Sequence, residues 1–125
     1  LNALPVVLDK ARQLEPEDYF SHFRAVAMAT EDIGDRKAAD TLSEMLMKPG
    51  VRFHSMNTYE EARSKAVPDL NDTSTRNSAL KELHLARALY MCGDKDGIAK
   101  EVLTRYRDGL QGHYARYAYE ILESK

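Results

Sequence analysis

Leu85-Ala86-Arg87-Ala88-Leu89-Tyr90-Met91-Cys92-Gly93-Asp94-Lys95-Asp96-Gly97-Ile98-Ala99-Lys100-Glu101-Val102 is the stretch that decides the fold. A helical apolar stripe runs into Gly-Asp, and a second stripe starts a few residues later. Glycine takes the left-handed conformation that closes a helix, and aspartate caps the next helix by accepting its free N–H groups. The same signature occurs earlier, where Val26-Ala27-Met28-Ala29-Thr30-Glu31-Asp32-Ile33-Gly34 leads into Asp35-Arg36-Lys37-Ala38-Ala39-Asp40-Thr41-Leu42. Two helix corners of this design, at Gly34-Asp35 and Gly93-Asp94, predict hairpins of helices that stack, an all-α superhelix or solenoid.

Working outward, Leu4, Val7, Leu8, Ala11 and Leu14 mark a first helix, and Pro5 suits its first turn. Pro16, with Glu15, Glu17 and Asp18 around it, breaks the chain and restarts it. Phe20, Phe23, Val26, Ala27, Thr30 and Ile33 line one face of a second helix. Ala38, Ala39, Leu42, Met45 and Leu46 line a third, stopped by Pro49-Gly50. From Val51 to Asn77 the periodicity fails, and the stretch reads as an inserted connection that is functional, partly helical or mobile. Within it, Thr58 to Arg63 has the capping box of a short helix, and Asn71-Asp72-Thr73 fits a glycosylation sequon of little weight.

Regularity returns at Ser78. Ala79, Leu83, Ala86 and Leu89 lie on one face while Leu80, Leu85 and Met91 lie on others, so this helix is expected to be buried between neighbours. Ile98, Ala99, Val102, Leu103 and Tyr106 define the next, and Tyr114, Tyr117, Ala118, Ile121 and Leu122 the last. Gly34 and Gly93 lie 59 positions apart, more than the ~40–47 residues of a HEAT or armadillo repeat. The 51–77 insertion supplies the surplus. The expectation is one HEAT-like helical domain over 1–125, a right-handed stack of about six helices with one long inserted connection.

Composition excludes several classes. Net charge is -2 with both signs interspersed, so there is no electrostatic footprint for nucleic acid or an anionic membrane. No apolar run approaches the roughly 20 residues of a membrane span, and Leu4 to Leu8 is too short for a signal peptide. The lone Cys92 forms no internal disulfide and is expected to be a small buried residue beside Gly93. The Leu1 start, in place of Met, hints at an excised domain or a processed chain.

No catalytic motif is present: no G-x-S-x-G, H-E-x-x-H, P-loop or G-x-G-x-x-G. His22, His54, His84 and His113 are widely spaced and read as surface or capping residues. Glu82 and His84, two apart on a helix, point in different directions. Tyr106, Tyr114, Tyr117 and Tyr119 crowd the last helix pair with Arg105, Arg107 and Arg116, a composition typical of interface hot spots. Tyr114 and Tyr117 suit the core, whereas Tyr119 and Arg116 are interface candidates. In the insertion, Phe53, His54 and Tyr59 are the other candidates, with no obvious place in the stack. No residue is read as catalytic, cofactor-binding or metal-ligating.

Two stretches carry a resemblance. One runs from Gly34-Asp35-Arg36-Lys37-Ala38-Ala39 through Leu46-Met47-Lys48-Pro49-Gly50-Val51. The other runs from Glu82-Leu83-His84-Leu85-Ala86-Arg87-Ala88-Leu89-Tyr90-Met91-Cys92-Gly93-Asp94 through Leu110-Gln111-Gly112-His113-Tyr114-Ala115-Arg116-Tyr117-Ala118. Together they resemble the C-terminal HEAT-like helical region of bacterial FAD-dependent oxidoreductases, some of which carry the name xanthan lyase. The resemblance covers about Ile33 to Leu122, and the family's dinucleotide-binding glycine motif is absent from this chain. It implies a non-catalytic accessory domain packed against a flavin domain that holds FAD elsewhere in the parent. It also implies a bacterial protein that is cytoplasmic or exported with its parent. The rival expectation is a free-standing HEAT-like adaptor binding a protein partner, with a homodimer conceivable for the isolated chain. A HEAT-fold nucleic-acid glycosylase comes third, because Lys95, Lys100, Arg105 and Arg107 are offset by Asp94, Asp96, Glu101 and Asp108.

Overall fold

A computed structural model describes residues 4–15, 18–34, 36–48, 50–51, 74–109 and 112–124, with backbone alone at 4 and 74–76. These residues form six helices and no strand: α1 (Leu4–Gln13), α2 (Phe20–Ile33), α3 (Ala38–Met47), α4 (Ser74–Met91), α5 (Ile98–Arg107) and α6 (Gly112–Glu123). The apolar stripes expected from the sequence are the buried faces. Leu8, Ala11 and Leu14 come from α1 and its exit, Phe23, Val26 and Ala27 from α2, and Ala38, Leu42, Met45 and Leu46 from α3. Ala99, Val102, Leu103 and Tyr106 come from α5, and Ala118 and Ile121 from α6. Ile33 departs from its stripe and is 39% exposed, because the chain leaves the helix there for the Gly34 turn.

Helix α4 is buried nearly all round, with Ala79, Leu83, Leu85, Ala86, Ala88 and Leu89 fully enclosed. It begins at Ser74, four residues before the expected start at Ser78, so the last residues of the expected insertion belong to this helix. Hydrophobic periodicity is silent about an opening turn of Ser, Thr, Arg and Asn.

Helices α2, α3, α5 and α6 all pack on α4, and α1 packs on both α2 and α3. Yet α2 and α3 touch each other little. This corrects the pairing expected from the first corner. Gly34 does turn the chain, but the helices it joins are not a packed hairpin. Contact runs instead from α1 to α2, α2 to α4, α4 to α3 and α3 back to α1, with α5 and α6 packed on each other beside α4. Lys48 at the exit of α3 fixes part of this ring by donating to the Leu14 carbonyl at 2.6 Å, which supplies a partner at the open end of α1.

Both corners close as their glycines require. Gly34 has φ +65°, and its N–H donates to the Thr30 carbonyl at 2.9 Å. Gly93 has φ +118°. Its N–H donates to the Tyr90 carbonyl and that of Asp94 to the Leu89 carbonyl, the pair of bonds that defines a Schellman closure. Asp94 caps α5 as expected, although from a distance. Its carboxylate accepts the N–H groups of Ala99 at 2.8 Å and Lys100 at 3.2 Å, while Gly97 is the residue that enters the helix. Asp35 lies outside the described residues, as do the Leu4 side chain, Pro16, Phe53, His54, Tyr59, the 58–63 capping box and the 71–73 sequon.

The two corners meet in space. The Thr30 carbonyl that receives Gly34 also accepts the Cys92 thiol at 3.3 Å, in a buried position. The Arg36 side chain lies across Gly93, so that a Cβ there would sit 2.9 Å from its Nε. Lys95 pairs with Asp40 at 2.7 Å on the outer surface, a contact of small energetic value.

Two substitutions test this account. Gly93→Val forces a β-branched residue to positive φ and into Arg36, and should destabilise the chain by more than about 1 kcal/mol. An unchanged denaturant midpoint would show that the left-handed turn costs nothing there. Tyr106→Phe removes the buried hydroxyl that donates to Glu82 Oε1 at 2.6 Å, a bond to a residue only 2% exposed. The expected loss is about 2 kcal/mol by urea unfolding.

Candidate functional site

The outer faces of α2, α4 and α6 carry two clefts. One, of about 350 Å³, is lined by Arg24, Met28, Glu31 and Asp32 of α2 and by His84 and Arg87 of α4. The second, of about 200 Å³, is lined by Arg87 and Met91 of α4 and by Tyr117, Glu120, Ile121 and Ser124 at the end of α6. Arg87 belongs to both. Its Nε donates to Glu31 Oε1 at 2.7 Å and its Nη1 to the Tyr117 hydroxyl at 3.0 Å. A single guanidinium therefore ties three helices, with its plane also near the Tyr117 ring. These hydrogen bonds raise its already high pKa, so it stays charged throughout the accessible range.

His84 is neither a freely solvated nor a capping residue. Its ring lies between Phe20, with centroids 5.3 Å apart, and Tyr117, at 5.9 Å. Burial, followed by the positive fields of Arg24 and Arg87, lowers its pKa below the usual 6.5, and Glu31 opposes the shift. Glu82 points elsewhere, toward Tyr106 of α5, so the two residues do not share a site, as their spacing required. Burial, followed by the charge of Glu82, pushes the Tyr106 phenol far up, which keeps it a donor.

Tyr119 is 52% exposed on α6 and Arg116 is exposed beside it, while Tyr114 and Tyr117 are half-buried. The candidate interface residues Phe53, His54 and Tyr59 lie outside the described residues. Sequence reasoning missed Arg87 and the buried Lys81 and Glu82. The available signal was that a helix with apolar residues on several faces sets its charges beside neighbouring helices. Among the described residues no group of three or more His, Cys, Asp or Glu is placed to hold a metal ion. None of the described helices is long and apolar enough to cross a membrane. The arrangement suits recognition by shape and charge, with aromatic and guanidinium surfaces over a rigid helical base.

No family model, curated protein or solved structure matches this chain.

The His84 environment has a consequence for stability. Because the folded chain disfavours the imidazolium, it binds fewer protons than the unfolded chain once the pH drops below about 6.5. Stability should be whole well above that pH and decline as the pH falls through about 6.5. The decline ends once His84 titrates in the fold as well. His84→Gln should flatten this part of the pH profile in urea unfolding. Equal slopes for the two chains would remove His84 as the cause.

Proposed function

We propose that this chain is a non-catalytic helical accessory domain of a bacterial FAD-dependent oxidoreductase, built as a HEAT-like stack and packed against the flavin domain of its parent. The observation that carries the scaffold half of this reading is the pairing of helices. Taken as α1 with α2, α3 with α4 and α5 with α6, the helices form three successive pairs whose neighbours pack on one another. In that register the corners at Gly34 and Gly93 join one pair to the next. The 52–73 connection falls inside the middle pair.

The oxidoreductase half rests on the resemblance of the 34–51 and 82–118 stretches. The contact with the flavin domain is assigned to the end of α6. That helix exposes Tyr119 and Arg116 and also lines a cleft with Tyr117 and Ile121, and the 51–77 segment is a second contributor. FAD belongs to the parent, because no glycine loop in this chain can cradle its pyrophosphate. A free-standing adaptor would use the same surface for a different protein.

The reading frame upstream of Leu1 separates the two. A strand-glycine loop-helix motif for a dinucleotide there supports the accessory domain, and an adjacent start codon overturns it. In solution, the 125-residue chain should leave FAD fluorescence unchanged on titration, and a saturable response at micromolar concentration would overturn the scaffold role. Tyr119→Asp should weaken capture of the separately produced flavin domain by at least ~10-fold while leaving the thermal melt unchanged.

A further inference from the structure

The exposed face of α2 carries a pattern that is symmetric about its own centre. Arg24, Met28 and Asp32 form one row along the helix at intervals of four residues, and all three are exposed. Arg24 and Asp32 stand about 12 Å apart along the axis, too far to pair with each other. Neither has a hydrogen-bond or ion-pair partner among the described residues. Met28, midway, is 46% exposed.

Asp32 also occupies the last turn of α2, where the negative end of the helix dipole disfavours a carboxylate, and that turn holds no basic residue. Local stability therefore gives no reason for the charge. Beside this row run Ser21, Ala25, Ala29 and Ile33, of which Ser21, Ala25 and Ile33 are exposed and Ala29 is half-buried. The three small members let another backbone approach closely, and Ile33 adds apolar surface.

We propose that the chain forms a two-fold symmetric dimer in which α2 lies antiparallel against α2 of a second copy, with Met28 on the axis. A two-fold axis at the middle of a plus–apolar–minus row brings each Arg24 opposite Asp32 of the other copy, and the two methionines into contact. A parallel arrangement would instead set like charges face to face. The surface is self-complementary, which is what an isologous contact requires. The second copy also covers the mouth of the larger cleft, since Arg24, Met28 and Asp32 form its α2 wall together with Glu31. One face of a 14-residue helix is a small interface, below the ~1,200 Å² typical of stable complexes. The dimer is accordingly weak, concentration-dependent and sensitive to salt.

Sedimentation velocity on the full chain tests this. The wild type should shift toward dimer as concentration rises from micromolar to millimolar, and high salt should reverse the shift. Arg24→Asp places two acids opposite each other and Asp32→Arg places two bases, so each should weaken self-association by at least ~10-fold. Mixed together, the two variants should associate with one another, because each supplies the sign the other lacks. The double exchange R24D/D32R should self-associate as the wild type does. All of these positions are exposed, and circular dichroism will confirm that the variants fold. A wild type that stays monomeric throughout, single variants that associate like the wild type, or a mixture that fails to associate would each overturn the dimer.

Discussion

A helix on which no residue from Asn77 to Met91 is fully solvated is the constraint from which the rest of the structure follows. Enclosing α4 requires walls on several sides, and α2, α3, α5 and α6 are those walls. The helix also carries charge into the interior, so its surroundings must be chemically specific as well as apolar. Glu82 receives the Tyr106 hydroxyl from α5, and the Lys81 ammonium lies 5.0 Å from the centre of the Phe23 ring of α2. Arg87, further along, is shared between α2 and α6. Three of the four neighbours of α4, namely α2, α5 and α6, are thus positioned by a polar or cation–π contact as well as by volume. Burying an unmatched polar group would cost more than a bond between matched ones returns.

The corners do a different job. A left-handed glycine sets where a helix stops, but not which helix it then lies against. Around Gly34 the partner choice is made by α4 and α1, which separate α2 from α3. Around Gly93 the chain turns back onto α4 itself. The same local sequence device therefore serves two packing outcomes, and the buried bond from Cys92 to Thr30 holds the two turns side by side.

Much of this was legible in the residues, because the signals were local. Periodicity located α1, α2, α3, α5 and α6, and the two glycines located the turns. The all-round apolar content of α4 foretold its burial. Pairing was not legible, since the choice between α3 and α4 as neighbours of α2 depends on side chains distant in sequence. The opening turn of α4 was hidden for a related reason, as polar residues carry no phase information. At the candidate site, Tyr119 announced itself by falling off the apolar stripe, and it is exposed. Arg87 did not, because its significance comes from Glu31, 56 residues earlier, and Tyr117, 30 residues later.

The single thiol of the chain sits where α2 and α4 end together, 1% exposed and bonded to a carbonyl. A thiol so enclosed reacts with an alkylating reagent only in molecules where that junction has parted. When closing outpaces the chemistry, the labelling rate is the intrinsic thiolate rate multiplied by the fraction open. The protein therefore contains its own gauge of local breathing, at the point where its two turns touch. Fraying at either terminus would leave the reading unchanged, and separation of α2 from α4 would register at once.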